Sequence, residues 1–378
     1  PADNTWSAIT YGERFAAVGQ SGTGNRAMTS INGGNALRVI TDYDTDFLAN
    51  GLPQNVRFVD SYFAVTTDEK KWIRSEANNG LDWNALDVGT AEADPDDIQA
   101  IEIDNNDVYI FGSETVETFD NIGGTGFGFQ RNNVVFNKGA TSKDGVVKTT
   151  NGIAFLGAGK DETPVIWSLE AGQLTKISHP GIDDTLNKMT LEDLEACFAQ
   201  YYAEAGAFFA LFTFPTVTLG YDFASKLWHE RESSGLRWRV NSLTTGYGTI
   251  FAGDSIDGRI GELALDIYDE YDNYIEAQVS SPNFANQGER AFYPKIELTM
   301  EAGVGNADNP DPSVTFDYSD NGKTFKGARA RDIGKIGDYE RRSIWRQNGS
   351  AARMRINRFT FTGKTKRTVI KLEAEIEA

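Results

Sequence analysis

The chain has a single cysteine, Cys197, only two histidines, His179 and His229, and no long apolar run. Each shortage excludes something. One cysteine cannot build an internal disulfide framework or a cysteine-based zinc site, and Cys197 reads as a small core residue. Neither histidine has metal-ligand spacing, and no G-x-S-x-G elbow accompanies them to suggest a Ser-His-Asp hydrolase. The closest approach to a spanning segment, Ala205–Phe214, is far shorter than the roughly 18 residues a membrane helix needs. It reads as a buried strand, and the chain as soluble. No signal-like segment opens the sequence, so the start at Pro1 is expected to be processed or partial. Positive charge is also scarce: 36 Lys and Arg face 55 Asp and Glu, a net of −19. Sequence-reading DNA binding rests on neutralised phosphates, so that balance argues against it.

What the chain does have is glycine and aromatics: 38 Gly and 12% Phe, Trp and Tyr among short apolar runs punctuated by Gly, Asn and Asp. That composition favours an all-β fold. A loose repeat runs through it. Strand clusters appear at Val56–Val65, Ile101–Phe119, Gly152–Leu169, Phe208–Trp228 and Gly248–Leu265, with matching aromatics at Phe63, Phe111, Phe155, Phe212 and Phe251. The steps between them, 48, 44, 57 and 39 residues, bracket the ~40–50 residues of a four-stranded propeller blade. With Trp6–Ile40 included, the body over 1–265 reads as a β-propeller of five or six blades. Stacked β-sandwiches would suit the same short strands and turns.

One segment departs from the β pattern. Thr190 is a suitable N-cap, Asp193 stands where a capping box wants its acid, and Leu191, Leu194 and Phe198 keep helical spacing. A short helix is expected there. His179-Pro180-Gly181 reads as a turn, and Trp228-His229-Glu230 as the end of a strand. After Leu265 the character changes, and 266–378 reads as a separate β-sandwich-like domain. Charge changes too: Asp320–Ala378 carries fifteen Lys and Arg against seven Asp and Glu, a net of +8, which leaves −27 for the rest. Such a segment is either a docking face for an acidic partner or subunit, or a solvated sheet face of mixed charge.

Chemical motifs are weak. Gly22-Thr-Gly24-Asn-Arg-Ala27 fits G-x-G-x-x-A, but no crossover helix fits before Gly33-Gly34, so a dinucleotide-binding unit is excluded. Asp42-x-Asp44-x-Asp46 begins like a calcium loop, yet Phe47 stands at its glycine position and Pro53 at its closing glutamate. No catalytic, cofactor or metal residues are assigned.

The most telling stretch is Tyr318-Ser-Asp-Asn-Gly-Lys-Thr-Phe325. Asp320-Asn321-Gly322 is strong turn chemistry between extended segments, so it reads as a hairpin. As a pattern it is a degenerate Asp-box, which raises a sialidase-like propeller glycosidase or a glycan-binding module as the alternative reading. Carboxylates for such chemistry abound, but most arginines fall outside the propeller-like body. Order and spacing point elsewhere. Asp107-Val-Tyr-Ile-Phe-Gly-Ser-Glu-Thr-Val-Glu-Thr-Phe119, Asn151-Gly-Ile-Ala-Phe-Leu-Gly157, Ala207–Pro215, Tyr221-Asp222, Trp228-His-Glu230, the hairpin itself, Gly337-Asp-Tyr-Glu340 and Trp345-Arg346 follow one another from about Gln54 onward. Together they resemble the packaged-DNA-stabilisation, or tail-hub, proteins of short-tailed bacteriophages.

That resemblance implies a structural virion protein, not an enzyme, with no cofactor. It implies a hexameric tail hub, or nozzle, assembled in the host cytoplasm and sitting below the portal and its head-to-tail adaptor. Such a hub continues the DNA channel, helps retain packaged DNA and receives the tail needle or tailspikes. Genomic DNA would pass without sequence-specific binding, and an acidic wall would repel its phosphates. Ring contacts are heterologous, so two different faces must match. The basic Asp320–Ala378 segment is expected to supply one face and the acidic body the other, with Arg341, Arg342, Trp345 and Arg346 as the candidate interface residues.

Overall fold

Antiparallel sheets, most of them simple meanders, follow one another along most of the chain. The computed structural model describes residues 6–11, 15–19, 27–30, 37–40, 43–91 and 96–377. Most of the glycine-rich turn of Gly22–Ala27 and the start of the Asp42–Asp46 loop lie outside them.

The first sheet comprises Trp6–Tyr11, Phe15–Gly19, Ala27–Ser30 and Leu37–Val39. The second comprises Pro53–Val59, Tyr62–Thr67, Lys71–Glu76 and Asn79–Thr90, and the third Ile98–Asp104, Asp107–Gly112, Val116–Asn121 and Phe129–Phe136. In the fourth, two short strands, Gly139–Ala140 and Val146–Lys148, share Gly152–Ala158, which Val165–Glu170 and Gln173–Lys176 then follow. The fifth runs Phe198–Glu204, Ala207–Thr213, Thr218–Asp222 and Leu227–Ser233, and the sixth Val240–Gly246, Thr249–Asp254 and Ile260–Leu263.

The repeated aromatics explain the stacking. Phe63, Phe111, Phe155 and Phe212 are buried, each on the strand that follows the opening strand or strands of its sheet. Phe251 holds the matching place in the sixth sheet, half-buried. Alternation places every second residue of a strand on one face, so a sheet can offer apolar faces to both neighbours. Val59, Ala64 and Trp72 of the second sheet meet Ile101, Ile110 and Phe119 of the third. Ala100, Phe111 and Val116 of the third meet Ile153, Phe155 and Leu169 of the fourth, with Phe111 and Phe155 in edge contact at 5.1 Å. Ala154, Leu156 and Ile166 meet Ala210, Phe212 and Leu219 of the fifth. Face-to-face stacking of consecutive small sheets is how propeller blades bury their cores.

Two helices interrupt the pattern between the fourth and fifth sheets. Leu191–Glu195 is the expected one. Thr190 accepts from the Asp193 amide while the Asp193 carboxylate accepts from the Thr190 amide, a reciprocal capping box. The other, Pro180–Asn187, corrects the reading of His179-Pro180-Gly181 as a mere turn. His179 is its N-cap, accepting from the Gly181 amide through Nδ1, and Pro180 sits where a helix tolerates it best. Ile182, Leu186 and Leu194 bury these helices beside Cys197.

The chain divides into two compact units, Pro1–Glu232 and Ser233–Ala378. The second contains the sixth sheet, a hairpin of Asp269–Glu270 with Asn273–Tyr274, and a two-sheet sandwich. Tyr271, at the hairpin tip, lies under the guanidinium groups of Arg239 and Arg259, at 4.8 and 4.0 Å from its ring centre. Lys364 of the sandwich also reaches the hairpin, bonding the Asp272 carbonyl and the Asp269 carboxylate.

One sandwich sheet runs Ala277–Ser280, Ile356–Phe361, Ser313–Ser319, Lys326–Asp332. In the other, Ala291–Met300 is central, with Ser343–Arg346 and Ser350–Ala351 on one side and Val369–Glu377 on the other. Ile296, Leu298 and Trp345 face Val314, Phe316, Phe359 and Phe361 across the core.

Candidate assembly interface

The hairpin foreseen from turn chemistry is present. Ser313–Ser319 pairs with Lys326–Asp332, and the Asn321 side-chain oxygen accepts from the Lys323 and Thr324 amides. Gly322 takes a positive φ of 73°, which a glycine adopts without strain. Asp320 turns inward instead of serving a ligand. It bonds Arg355, a wholly buried arginine that also donates to the carbonyls of Asn348 and Ser350. The guanidinium lies over both Tyr293 and Tyr318, 4.4 and 3.9 Å from the ring centres. Sequence reading passed over Arg355. The signal was there: it occupies an inward position of the alternation that continues through Asn357, Phe359 and Phe361.

The four candidate interface residues separate. Trp345 is fully buried, packs on Phe316 and Phe359, and donates its indole N–H to the Arg329 carbonyl. It is a core residue, so its placement at the interface is corrected by simple inaccessibility. Arg341, Arg342 and Arg346 reach solvent. Arg341 bonds Asp332 at 2.8 Å. Arg342 grips Glu297 through two parallel bonds of 2.6 and 2.7 Å, and Lys295 adds a third cation contact. Those hydrogen bonds hold the Glu297 carboxyl at about 2, well below the ordinary glutamate range. The Arg346 side chain has no partner among the described residues.

In the first unit, polar groups meet where the opening strands of successive sheets come together. Arg57 of the second sheet bonds Glu102 of the third through Nε (3.0 Å) and Nη2 (2.9 Å). Lys143 donates to Gln54, and Lys148 stands 3.8 Å from Asp104. Burial pulls against the Arg57 charge, but the field and hydrogen bond of Glu102, with Asp144 beyond, hold its pKa above the ordinary value. Burial pushes the Asp144 carboxyl up, against the pull of Arg57 and Lys143. This seam holds cations and anions in equal number, so it ties blades together instead of presenting one sign of charge.

The groups with catalytic potential are engaged elsewhere. His229 is held down at about 4, by burial first and then by Arg231, whose Nε donates to its ring. Burial pushes the Cys197 thiol far up, toward the inert form. Arg74 and Arg131 are each paired with a carboxylate, Asp87 and Glu117. No cluster of His, Cys, Asp or Glu suited to a metal occurs among the described residues, and no helix among them is long and apolar enough to cross a membrane. A cleft of about 320 Å³ lies in the sandwich, lined by Asp308, Asn309, Asp311, Ser313, Thr362, Gly363 and Lys364. It offers no aromatic platform.

An all-β chain with propeller-type sheets followed by a sandwich is therefore the class. Residues 5–268 match the family model for the beta-propeller of bacteriophage P22 Gp10, and residues 276–377 that for its beta-sandwich. The chain belongs to the bacteriophage P22 Gp10 family. Tail hub protein gp10 of Salmonella phage P22 is 22% identical over 282 residues, covering 70% of this chain and 57% of that protein. The match thus spans little more than half of that relative's length. Among solved structures, the exo-β-1,3-galactanase of Phanerochaete chrysosporium is 10% identical, over 97% of this chain and 95% of the enzyme, with a TM-score of 0.36. The computationally designed Ika8 protein is 12% identical, over 68% of this chain and 69% of its own, with a TM-score of 0.37. Likenesses this slight carry no argument about function.

Proposed function

We propose that this protein is a structural subunit of a phage tail hub. Six copies form a ring below the portal and its adaptor, continue the DNA channel, retain packaged DNA, and anchor the tail needle or tailspikes. It is a virion component assembled in the host cytoplasm, and no catalysis is assigned to it. The observation that carries this reading is the tandem match to both Gp10 domains, over 5–268 and 276–377, alongside a tail hub relative. The acidic balance supports it, because a net charge of −19 disfavours gripping DNA that must slide past. We place the functional division between propeller and sandwich near Leu265, with Arg346 as the cationic contact residue of the ring, since Arg341 and Arg342 are already held by Asp332 and Glu297.

The test is to size the purified protein alone and mixed with a portal–adaptor complex. A discrete ring on the complex is expected. A chain that never joins the complex, yet cleaves or binds sialosides, would replace this reading with the propeller glycosidase or glycan-binding one.

A further inference from the structure

The outer face of the second sandwich sheet carries an ordered charge row. Ile296, Leu298, Trp345, Leu372 and Ala374 point into the core, so their strand neighbours point out. Lys295 lies directly opposite Arg346 on one side and Glu375 on the other. The row therefore reads Arg346, Lys295, Glu375 across three strands, with a cation at one end and an anion at the other. Both end residues are exposed, and neither side chain has a partner among the described residues. They stand two strand spacings apart, about 10 Å. That is about one Debye length at physiological salt, so they barely neutralise each other.

The two edges of this sheet also differ. On the Arg346 side the backbone is already plugged: Arg329 donates to the Arg346 carbonyl and Arg331 to the Ile344 carbonyl, each at 2.9 Å. On the other side Val369–Glu377 pairs, among the described residues, only with Ala291–Met300, and its last residues include Glu373, Glu375 and Glu377 with no Lys or Arg after Lys371. A neighbouring strand cannot extend the sheet across a plugged edge, so contact there must run through side chains.

We propose that a second copy of this chain docks on this row head to tail, Glu375 of one copy against Arg346 of the next. Charge complementarity selects the occupant. Edge to edge, the row is complementary to itself only head to tail, because a two-fold edge contact would set Glu375 against Glu375 or Arg346 against Arg346. A two-fold face-to-face contact would pair Glu375 with Arg346 twice, but it makes a dimer and no ring. Head-to-tail contacts are those that close into rings. The inference rests on the ring reading above and sharpens it: the acidic face comes from the edge of the sandwich itself, not from the acidic body.

The experiment uses full-length protein with the portal–adaptor complex and reads ring formation by sedimentation velocity. Arg346→Glu alone and Glu375→Lys alone should each raise the concentration for half-assembly about tenfold, since every interface exchanges an ion pair for a like-charge contact. The double variant should return to within about threefold of the parent. So should an equimolar mixture of the two single variants, because alternating copies restore opposite charges at every interface. Circular dichroism should match the parent throughout, as both side chains are exposed. Single variants that assemble like the parent would overturn the proposal, as would impaired singles that neither the double variant nor the mixture rescues. A parent chain that forms no ring on the complex would instead overturn the hub reading, and this contact with it.

Discussion

Removing the Asp320 carboxylate should destabilise the sandwich far more than an exposed aspartate would suggest. Arg355 is 0% exposed, and Asp320 is its carboxylate partner, 2.8 Å from Nη2. Taking one partner from a buried ion pair leaves an uncompensated charge, at a cost of ~3–5 kcal/mol. The Asp320 side chain is 24% exposed, so water can reach the gap, and the bonds to the Asn348 and Ser350 carbonyls persist. Both point to the lower end, about 3 kcal/mol for Asp320→Ala. Asp320→Asn keeps the acceptor oxygen and should cost roughly half, since charge-assisted bonds are about twice as strong as neutral ones. Lys326→Ala removes the other cation on Asp320, an exposed one, and should change stability by less than ~1 kcal/mol. In a domain of this size each kcal/mol moves the midpoint by roughly 4–8 °C. Calorimetry on the full chain should therefore show the sandwich transition of Asp320→Ala falling by roughly 12–24 °C. Hydrogen exchange should speed up in Ser313–Ser319 and Ile356–Phe361. A fall under about 2 °C would refute the reasoning, because the tyrosine faces and carbonyls would then suffice for Arg355.

Three further outcomes are expected. Glu297 has a folded pKa of about 2, below the ~4.3 of an unfolded glutamate, so its contribution is present above that value and fades as pH falls toward 2. Arg342 is largely exposed, so solvent screening holds the gain well below what the shift alone would imply. Glu297→Gln should thus be less stable than the parent at pH 7 in denaturant titrations, with the gap closing by pH 2. Gly157→Ala would put a Cβ 1.8 Å from the Gly139 carbonyl oxygen. It should cost ~1–3 kcal/mol as overpacking, with faster exchange at Gly139–Ala140. Thr190→Ala removes one half of the capping box and should cost about 1 kcal/mol, read as loss of exchange protection in Leu191–Glu195.

What the sequence made legible was periodic. Phe63, Phe111, Phe155 and Phe212 announced the repeat because an alternating strand must bury the same face in every blade. Thr190 and Asp193 announced a helix end because capping is local chemistry. What it hid was set by long-range pairing. Nothing near His179 distinguishes a Pro-Gly turn from a capped helix until Ile182 and Leu186 find the fifth sheet. The pattern Ser-Ile-Trp-Arg placed Trp345 and Arg346 side by side as candidates, yet alternation sends one inward and the other outward. Only the register against Lys295 decides which. Arg355 was hidden for the opposite reason, since an arginine reads as surface until its carboxylate, 35 residues away, is seen beneath it.

Net charge misleads in the same way, and the basic segment shows how. Of its fifteen cations, eleven already donate to groups of the same chain. Arg342, Arg358, Lys364 and Lys366 are neutralised by Glu297, Asp317, Asp269 and Glu301, all of which precede Asp320. Part of the contrast between a body of −27 and a tail of +8 is therefore cancelled within each copy. Among the described residues only Lys323, Lys335, Arg346 and Arg353 remain without a side-chain partner. A docking face needs charge that is both exposed and unspent. By that criterion the broad basic surface contracts to a few residues, and only Arg346 of them shares a sheet row with an unspent anion. Variants at the spent arginines would weaken the fold as well as any contact, so reversal at Arg346 is the sharper probe of assembly.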